Sequence, residues 1–446
     1  MENDAGAFAS PLPRVIGTGR FALIIVGLTI GTAIFRVPSL IAANAGSPEM
    51  TAAVWLVGAC FALAGGVCAA ELGSRLPGAG GEYALGKAIY GDRFGFVFGV
   101  TWLLLVSPAS IAAVARAFSD YAAVFTPLSE GSRRMLTAVV IALHTAMAMA
   151  STRIASRFIG IATVAKLAAM GLVVLAAMAL SGSPIEQPPL PASAGSAGAV
   201  IAALVAVIWA YDGSAQIMLA GDVKDPERSI PRGLMLAAGI VVVVYFLLNA
   251  AYGRTLGFQG LAVSTAVAAD TMQALVGRVG ALLVAGLVLL SAYSCGMAQL
   301  VGHPRITFGL ANDGLFWGRF ASLSRGPRTP WLAILLHGAL ACLLSVLGGY
   351  EFLIRLVVFA FYPLLATIYV GAIVLRRREG LPRGFRMPFF PIPIVFYLLM
   401  LSVVMVVSLL ADPKALLYAG AVMAVAAVGS RLVRPRQASP AAEITR

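Results

Sequence analysis

Charge is scarce in this chain. Only 11% of its 446 residues are Asp, Glu, Lys or Arg, three are histidine and four are cysteine. So few charges cannot cover the surface of a water-soluble protein of this length. With 60% hydrophobic residues and a mean hydropathy of +0.92, the composition demands a membrane as solvent. The histidines, His144, His303 and His337, are dispersed along the chain, and no HExxH, GxSxG or Walker pattern occurs. No enzyme activity, cofactor or metal site is expected. The cysteines, Cys60, Cys68, Cys295 and Cys342, lie inside apolar runs without zinc or disulfide-framework spacing, and read as small buried hydrophobes.

What fills the chain is apolar runs of spanning length. Twelve are expected, at 16–43, 51–74, 93–126, 134–150, 154–180, 198–223, 231–256, 272–311, 330–348, 351–376, 391–411 and 414–434. The first lacks a small-residue cleavage site and is taken as a retained span. A net charge of +13 invites a nucleic-acid partner, but its distribution excludes one. Of the 32 Lys and Arg, 23 fall on the side of the N-terminus, six on the other side and three (Arg36, Arg116, Lys166) within spans. Such an asymmetry places both termini in the cytoplasm of a multi-pass protein of the plasma (inner) membrane. Residues 1–15 and 435–446 are read as cytoplasmic tails, and 181–197 as a flexible outer connector rich in proline and glycine.

Two spans are interrupted. In Val26–Pro38, VGLTIGTAIFRVP, Gly27 and Gly31 sit where a membrane helix should be continuous. A broken helix leaves backbone groups unpaired at several kcal/mol each, tolerated only where the break lines a cavity. One half-helix then offers N–H donors to an anion and the other carbonyls to a cation, a pairing suited to an amino-acid zwitterion. Gly27 and Gly31, four apart, also fit a helix-packing face, and the stretch alone does not decide. The second interruption is Val207–Val223, VIWAYDGSAQIMLAGDV, with Asp212 beside Gly213. It falls five spans after the first, so the two run antiparallel. Paired breaks in two inverted halves point to a transporter with its site at the midplane.

In this order the motifs are specific. The glycine break with Ile34-Phe35, ELGSRLPGAGGEY from Glu71 to Tyr83, Ala210-Tyr211-Asp212-Gly213, GDVKDPERSIPR from Gly221 to Arg232 and ANDGL from Ala311 to Leu315 cover spans one to eight. Together they resemble amino-acid permeases of the amino acid–polyamine–organocation superfamily, and most of all its L-type amino-acid transporter branch. The resemblance implies an all-α integral membrane fold of about 12 transmembrane helices. These form a five-plus-five inverted repeat of the leucine-transporter type (16–180 and 198–376), with helices 1 and 6 broken and two extra helices in 391–434. Two positions depart from the family. Ala33 stands where Gly is common in the first break, and Ser214 where the L-type branch usually carries tryptophan, both altering the pocket.

Substrate contacts are expected at Ile30, Gly31, Thr32, Ala33, Ile34, Trp209, Tyr211, Asp212, Gly213 and Ser214. The carboxylate would meet N–H groups near Gly31, Thr32, Ala33 and Ile34, and the ammonium carbonyls near Ile30, Trp209 and Tyr211. Lys166 lies 12 residues above Arg153–Arg157, ~18 Å of helix, too far for an easy snorkel from the inner face. The resemblance implies that it replaces a coupling cation between spans one, five and eight, with Ser291 and Ser294 as polar neighbours. Arg36 either faces the outer vestibule or pairs with Asp120. Arg116 and Asp120 form an (i, i+4) pair. Glu71 and Arg75, with Pro77, Gly80 and Gly81, hold an inner gate or make a solvated turn, and Asp222–Pro231 extends span six against them. Trp209 closes over the substrate or is a core aromatic.

The chain is thus expected to carry amino acids, neutral L-amino acids first, by sodium-independent exchange or with protons. A permease for polyamines or cationic amino acids is the first alternative and a non-transporting amino-acid sensor the second, the tails being short for an output domain. No disulfide-linked subunit is expected, because Thr126–Met135, where heteromeric L-type relatives carry a linking cysteine, has none.

Overall fold

In a computed structural model, the structure describes residues 14–76, 80–123, 125–180, 189, 194–213, 216–326, 328–376, 384–411 and 413–432. Pro77, Ser214, most of the 181–197 connector and nearly all of both tails lie outside them. Among the described residues there is no strand, only a parallel bridge between Ile16 and Val223, and nine helices are long and apolar enough to span a membrane. Three further apolar helices are shorter, Thr18–Thr29, Ala197–Tyr211 and Trp331–Leu347.

The first half holds α1 (Thr18–Thr29), α2 (Val37–Ala45), α3 (Pro48–Arg75), α4 (Glu82–Tyr90), α5 (Asp92–Thr101), α6 (Ser107–Ala122), α7 (Glu130–Ala150) and α8 (Thr152–Ala179). A π-type stretch, Trp102–Val106, joins α5 to α6 into one span. The second half holds α9 (Ala197–Tyr211), α10 (Pro226–Val263), α11 (Val267–Val276), α12 (Arg278–Gly302), α13 (Pro304–Asn312), α14 (Trp331–Leu347) and α15 (Tyr350–Arg376). Two more follow, α16 (Ile392–Ala411) and α17 (Pro413–Gly429). Serine starts four of the helices. Ser47, Ser129, Ser151 and Ser196 each accept a hydrogen bond from the third N–H of α3, α7, α8 and α9, satisfying an otherwise orphaned donor. The core gathers around α1, α3, α10 and α12, whereas α8 turns Ile161, Leu172 and Leu175 outward, where lipid would cover them.

Several expectations change in detail. Helix 1 breaks as read, but the sixth does not resume as an α-helix. After Tyr211 come turns and a single 3-10 turn, Ala220–Asp222. Outside partners hold this irregular backbone. The Ile217 N–H donates to Glu82 Oε1 at 2.8 Å, and Asp222 O accepts from Val15 and Ile16. The run from Asp222 to Pro231 therefore does not prolong span six, since its proline at 226 opens α10 instead. Span eight divides into α11, α12 and α13, interrupted at Gly277 and at His303–Pro304. Cys60 is exposed on α3 and Cys342 half-buried, so only Cys68 and Cys295 are buried as expected. Two of the histidines dispersed in sequence meet in space. Ser107 Oγ lies 3.0 Å from His303 Nδ1 and 2.5 Å from His337 Nδ1, and His337 Nε2 lies 2.8 Å from Thr307 Oγ1.

Polar contacts between elements cluster at the end of the bundle that carries Glu71, Asp222 and Asp313. Arg376 grips Glu71 with two bonds of 2.8 and 2.6 Å, and Met387 N–H adds a third. Arg75, the expected partner, stands at 3.6 Å, because a bidentate fork from α15 matches the carboxylate better than an (i, i+4) neighbour can. Arg305 meets Asp222 at 2.6 Å, Lys87 meets Asp313 at 2.7 Å, and Tyr83 donates to the same Asp313 at 2.7 Å. Gly81 has φ of +48°, and the backbone of Ile217–Met218 occupies the place of its missing Cβ. The α4 loop thus opposes residues 217–222 rather than the start of α10.

Arg305 and Asp222 are each 6% exposed, so removing one leaves a buried unpaired charge. Arg305→Ala is expected to cost about 3–5 kcal/mol of stability, and Asp222→Asn combined with Arg305→Met to regain most of it. Thermal unfolding in detergent measures both, and an Arg305→Ala protein as stable as the parent would contradict this account.

Candidate functional site

The first break is asymmetric in its hydrogen bonds. Every carbonyl from Gly27 to Ala33 has a donor. Lys166 Nζ binds Gly27 O at 3.2 Å and also Ile30 O. Ser291 Oγ donates to Ile30 O at 3.0 Å and Gly31 O at 2.9 Å, and the Cys295 thiol reaches Leu28 O at 3.4 Å. Thr29 O accepts from Gly31 N–H, and Thr32 O and Ala33 O accept from Phe35 and Arg36. The N–H groups of Thr32, Ala33 and Ile34, by contrast, have no backbone acceptor among the described residues. Unpaired donors at the start of a helical turn are an anion site.

Lys166, on α8, is fully buried, as is Ser291 on α12, so the lysine does not snorkel. Its ammonium stands where three helices meet, α1, α8 and α12, and backbone oxygens receive it. Ser294 does not join them, since its hydroxyl turns back to Ser291 O in its own helix. The Ile30 carbonyl, expected to receive a ligand ammonium, already has two donors, and the Gly31 N–H is spent on Thr29 O.

The second break faces the first. Gly213 has φ of +96°, and a Cβ there would lie 3.4 Å from the backbone of Leu28–Thr29. Trp209 O accepts from Asp212 N–H, closing the end of α9. Tyr245 of α10, which the sequence did not single out, joins both breaks, its hydroxyl 2.9 Å from Ala210 O and 3.4 Å from Thr29 O. Trp55 and Tyr211 pack edge-on against the Tyr245 ring and each other.

Between the breaks lies a cavity of about 70 Å³. Gly31, Thr32, Ala33, Trp209, Asp212 and Gly213 line it as expected, joined by Ser110, Cys295, Gln299 and Tyr350, which were not. Gln299 Nε2 donates to Ser110 Oγ at 2.9 Å, while its Oε1 is buried without a partner. Tyr350 reaches Thr32 and Trp209 from α15. Arg36 is exposed beside Tyr350 and Tyr121, and does not pair with Asp120. That aspartate is held by Arg116 at 3.2 Å and Arg133 at 3.5 Å, and Arg116 also binds Glu130 on α7 at 2.7 Å. A single turn of helix favours Arg116, and an arginine from α7 completes the cluster.

The family model described as amino acid permease matches residues 16–429. Among similar proteins, a human large neutral amino acids transporter small subunit 2 is 30% identical over 427 residues, 92% of this chain and 79% of the relative. A Bacillus subtilis serine/threonine exchanger is 24% identical over 381 residues, 83% of this chain and 86% of the relative. The mouse Asc-type amino acid transporter 1 is 28% identical over 416 residues, 90% and 78% of the two chains.

Gly213 and Gly31 differ in what a methyl group would meet. Gly213→Ala forces a side chain into positive φ and is expected to cost about 1–3 kcal/mol. Gly31→Ala finds its nearest neighbour, Cys295 Sγ, at 3.5 Å and is expected to stay within about 1 kcal/mol of the parent. Thermal melting of the two variants side by side checks the order, and the reverse order would contradict the geometry.

Proposed function

The chain belongs to the amino acid permease family, and we propose that it is a secondary transporter exchanging small neutral L-amino acids across the cell membrane without sodium. The observation that carries this is the asymmetric first break, with carbonyls filled from within the protein and the N–H groups of Thr32, Ala33 and Ile34 left without backbone acceptors, Thr32 and Ala33 lining the cavity and Ile34 just behind them in the chain. The substrate carboxylate takes the N–H groups of Thr32, Ala33 and Ile34, and the ammonium lies toward Asp212. Lys166 holds the carbonyls that a coupling cation would otherwise bridge, and so replaces it. Ser294 has no part in that replacement.

Substrate size follows from the space. One water needs roughly 10–15 Å³ by the measure that gives 70 Å³ here, so the cavity holds about five to seven such volumes. That suits alanine, serine or threonine rather than an aromatic amino acid. Ser110 and the unpartnered Gln299 Oε1 offer a hydroxyl-bearing side chain somewhere to bond. The relatives that carry or exchange amino acids, one of them serine and threonine, support the same class. Arg36 draws the carboxylate inward from the outer side, and Tyr350 and Trp209 close over it.

Twelve spans follow if the nine long helices and the three shorter apolar ones all cross. We place the two inverted repeats at 16–180 and 198–376, the added pair in 391–434 and both termini in the cytoplasm, from the Lys and Arg asymmetry. Alternating access then rocks these repeats around the breaks. The loop Thr126–Met135 has no cysteine, so any partner subunit is held without a disulfide there. Asp212 on the cavity wall favours the second reading, a carrier of polyamines or cationic amino acids. Lys166 and Arg36 oppose it.

Counterflow in proteoliposomes, with a panel of amino acids, tests the proposal. Exchange of small neutral amino acids should persist when choline replaces sodium, and Lys166→Ala should slow it strongly while the protein still inserts. Charge-assisted hydrogen bonds contribute roughly 1.5–3 kcal/mol each, so the methyl ester or decarboxylated amine of the best substrate should compete tenfold or more worse. Loss of uptake in choline would overturn the lysine's role. An amine that competes as well as its parent amino acid would overturn carboxylate capture and leave the polyamine reading.

A further inference from the structure

Directly beneath the substrate cavity is a second, smaller one of about 10 Å³, and Asp212, Gly213 and Gln216 line both. Its other polar wall is Glu82 of α4, only 2% exposed, and Tyr211. One oxygen of Glu82 accepts from Ile217 N–H at 2.8 Å, and the other, Oε2, has no partner. The Tyr211 hydroxyl and Gln216 Oε1 are buried without partners as well. Carboxylate, amide and phenol oxygens thus converge on a space of roughly one water whose lining holds no cation among the described residues. We infer that Glu82 binds a proton in this water-sized cavity while the inner mouth is closed, and releases it to cytoplasmic water when the mouth opens. This rests on the transport reading given above.

Among the described residues lining this cavity, no cation stands ready to neutralise Glu82 in the proton's place. It faces Asp212 and Tyr211 from α9 and its following turn, Tyr369 from α15 and Tyr397 from α16. The cations on the surrounding elements are engaged by other acids. Lys87 binds Asp313 and Asp92, Arg305 binds Asp222, and Arg376 and Arg75 hold Glu71. Desolvation of an unpaired carboxylate favours its neutral form. Burial accordingly pushes the Glu82 carboxyl up to about 7, against the opposing pull of the Ile217 N–H.

The same contacts make this proton a latch. Glu82 ties α4 to the backbone that follows the second break, so the inner mouth cannot open without parting Glu82 from Ile217. Once hydrated, the carboxyl returns toward its ordinary value and gives its proton to water on the cytoplasmic side. Closing again requires that a proton return from that water. The sign follows from a value raised in the closed state. Closure is favoured at acid pH, becomes rarer by up to tenfold per pH unit as pH rises from about 4.5 to about 7, and no longer depends on pH above that. Exchange limited by closure slows in the same sense.

The purified full-length protein in liposomes tests this, with equal pH on both sides stepped across that range. Each variant's exchange rate is normalised to its own maximum. The parent should slow as pH rises from about 4.5 to about 7 and level off above it, Glu82→Gln should lose the dependence, and Glu82→Asp should keep one. A flat parent profile, or a Glu82→Gln profile like the parent's, overturns the proposal. Exchange of no amino acid at any pH counts against the transport reading itself, and the second measurement does not need transport. Infrared difference spectra of the parent between acid and alkaline pH should show the carbonyl band of a buried carboxylic acid, retained in Asp212→Asn. Absence of the band, or its loss in Asp212→Asn, overturns the proposal even where Glu82→Gln fails to assemble.

Discussion

A membrane helix that stops at Thr29 must find donors for its last carbonyls, and much of the site is built around that need. Lys166 from α8 and Ser291 and Cys295 from α12 supply them. Tyr245 from α10 adds a bond that also ties the break to the end of α9. The donors come from three helices well separated in the chain, so the break draws α8, α10 and α12 against α1. In water such carbonyls would be solvated at little cost. In an apolar core each orphan costs several kcal/mol, which accounts for burying an ammonium there.

Because the carbonyl side is saturated, the polarity of the break is left to its N–H side. Thr32 and Ala33 line a cavity whose remaining wall includes one aspartate, two glutamines and two aromatic rings among small and aliphatic side chains. Beyond Asp212 and Gln216, ion pairs and Glu82 join neighbouring elements. The cavity and these contacts thus share one short piece of backbone. Movement of that piece alters both, without any long-range relay.

Residues that offend their surroundings were legible in the sequence. Gly27 and Gly31 in an apolar run, Lys166 in a span and Asp212 beside Gly213 each contradict a plain membrane helix, and each lies at the site. Residues that fit their surroundings were not legible. Tyr245 reads as an ordinary aromatic in α10, and only packing brings it to both breaks. Ser110 and Gln299 sit on helices 189 residues apart, and the link between His303 and His337 runs through Ser107. Helix 6 misled for another reason. A hydrophobic run after Gly213 matches a half-helix in composition, but Glu82 and the Ile16 bridge offer its backbone other partners. Glu71 likewise has a nearby arginine in sequence and a better placed one, Arg376, in space.

The central claim is that the break's carbonyls belong to the protein and its N–H groups to the substrate. A cryo-electron microscopy map of the protein with serine or alanine bound, in sodium-containing buffer, tests it most directly. The account predicts the ligand carboxylate within hydrogen-bonding distance of the Thr32, Ala33 and Ile34 N–H groups, with Lys166 Nζ still on Ile30 O. A carboxylate held by Arg36 away from the break, or ion density between Lys166 and Ile30 O, would contradict it.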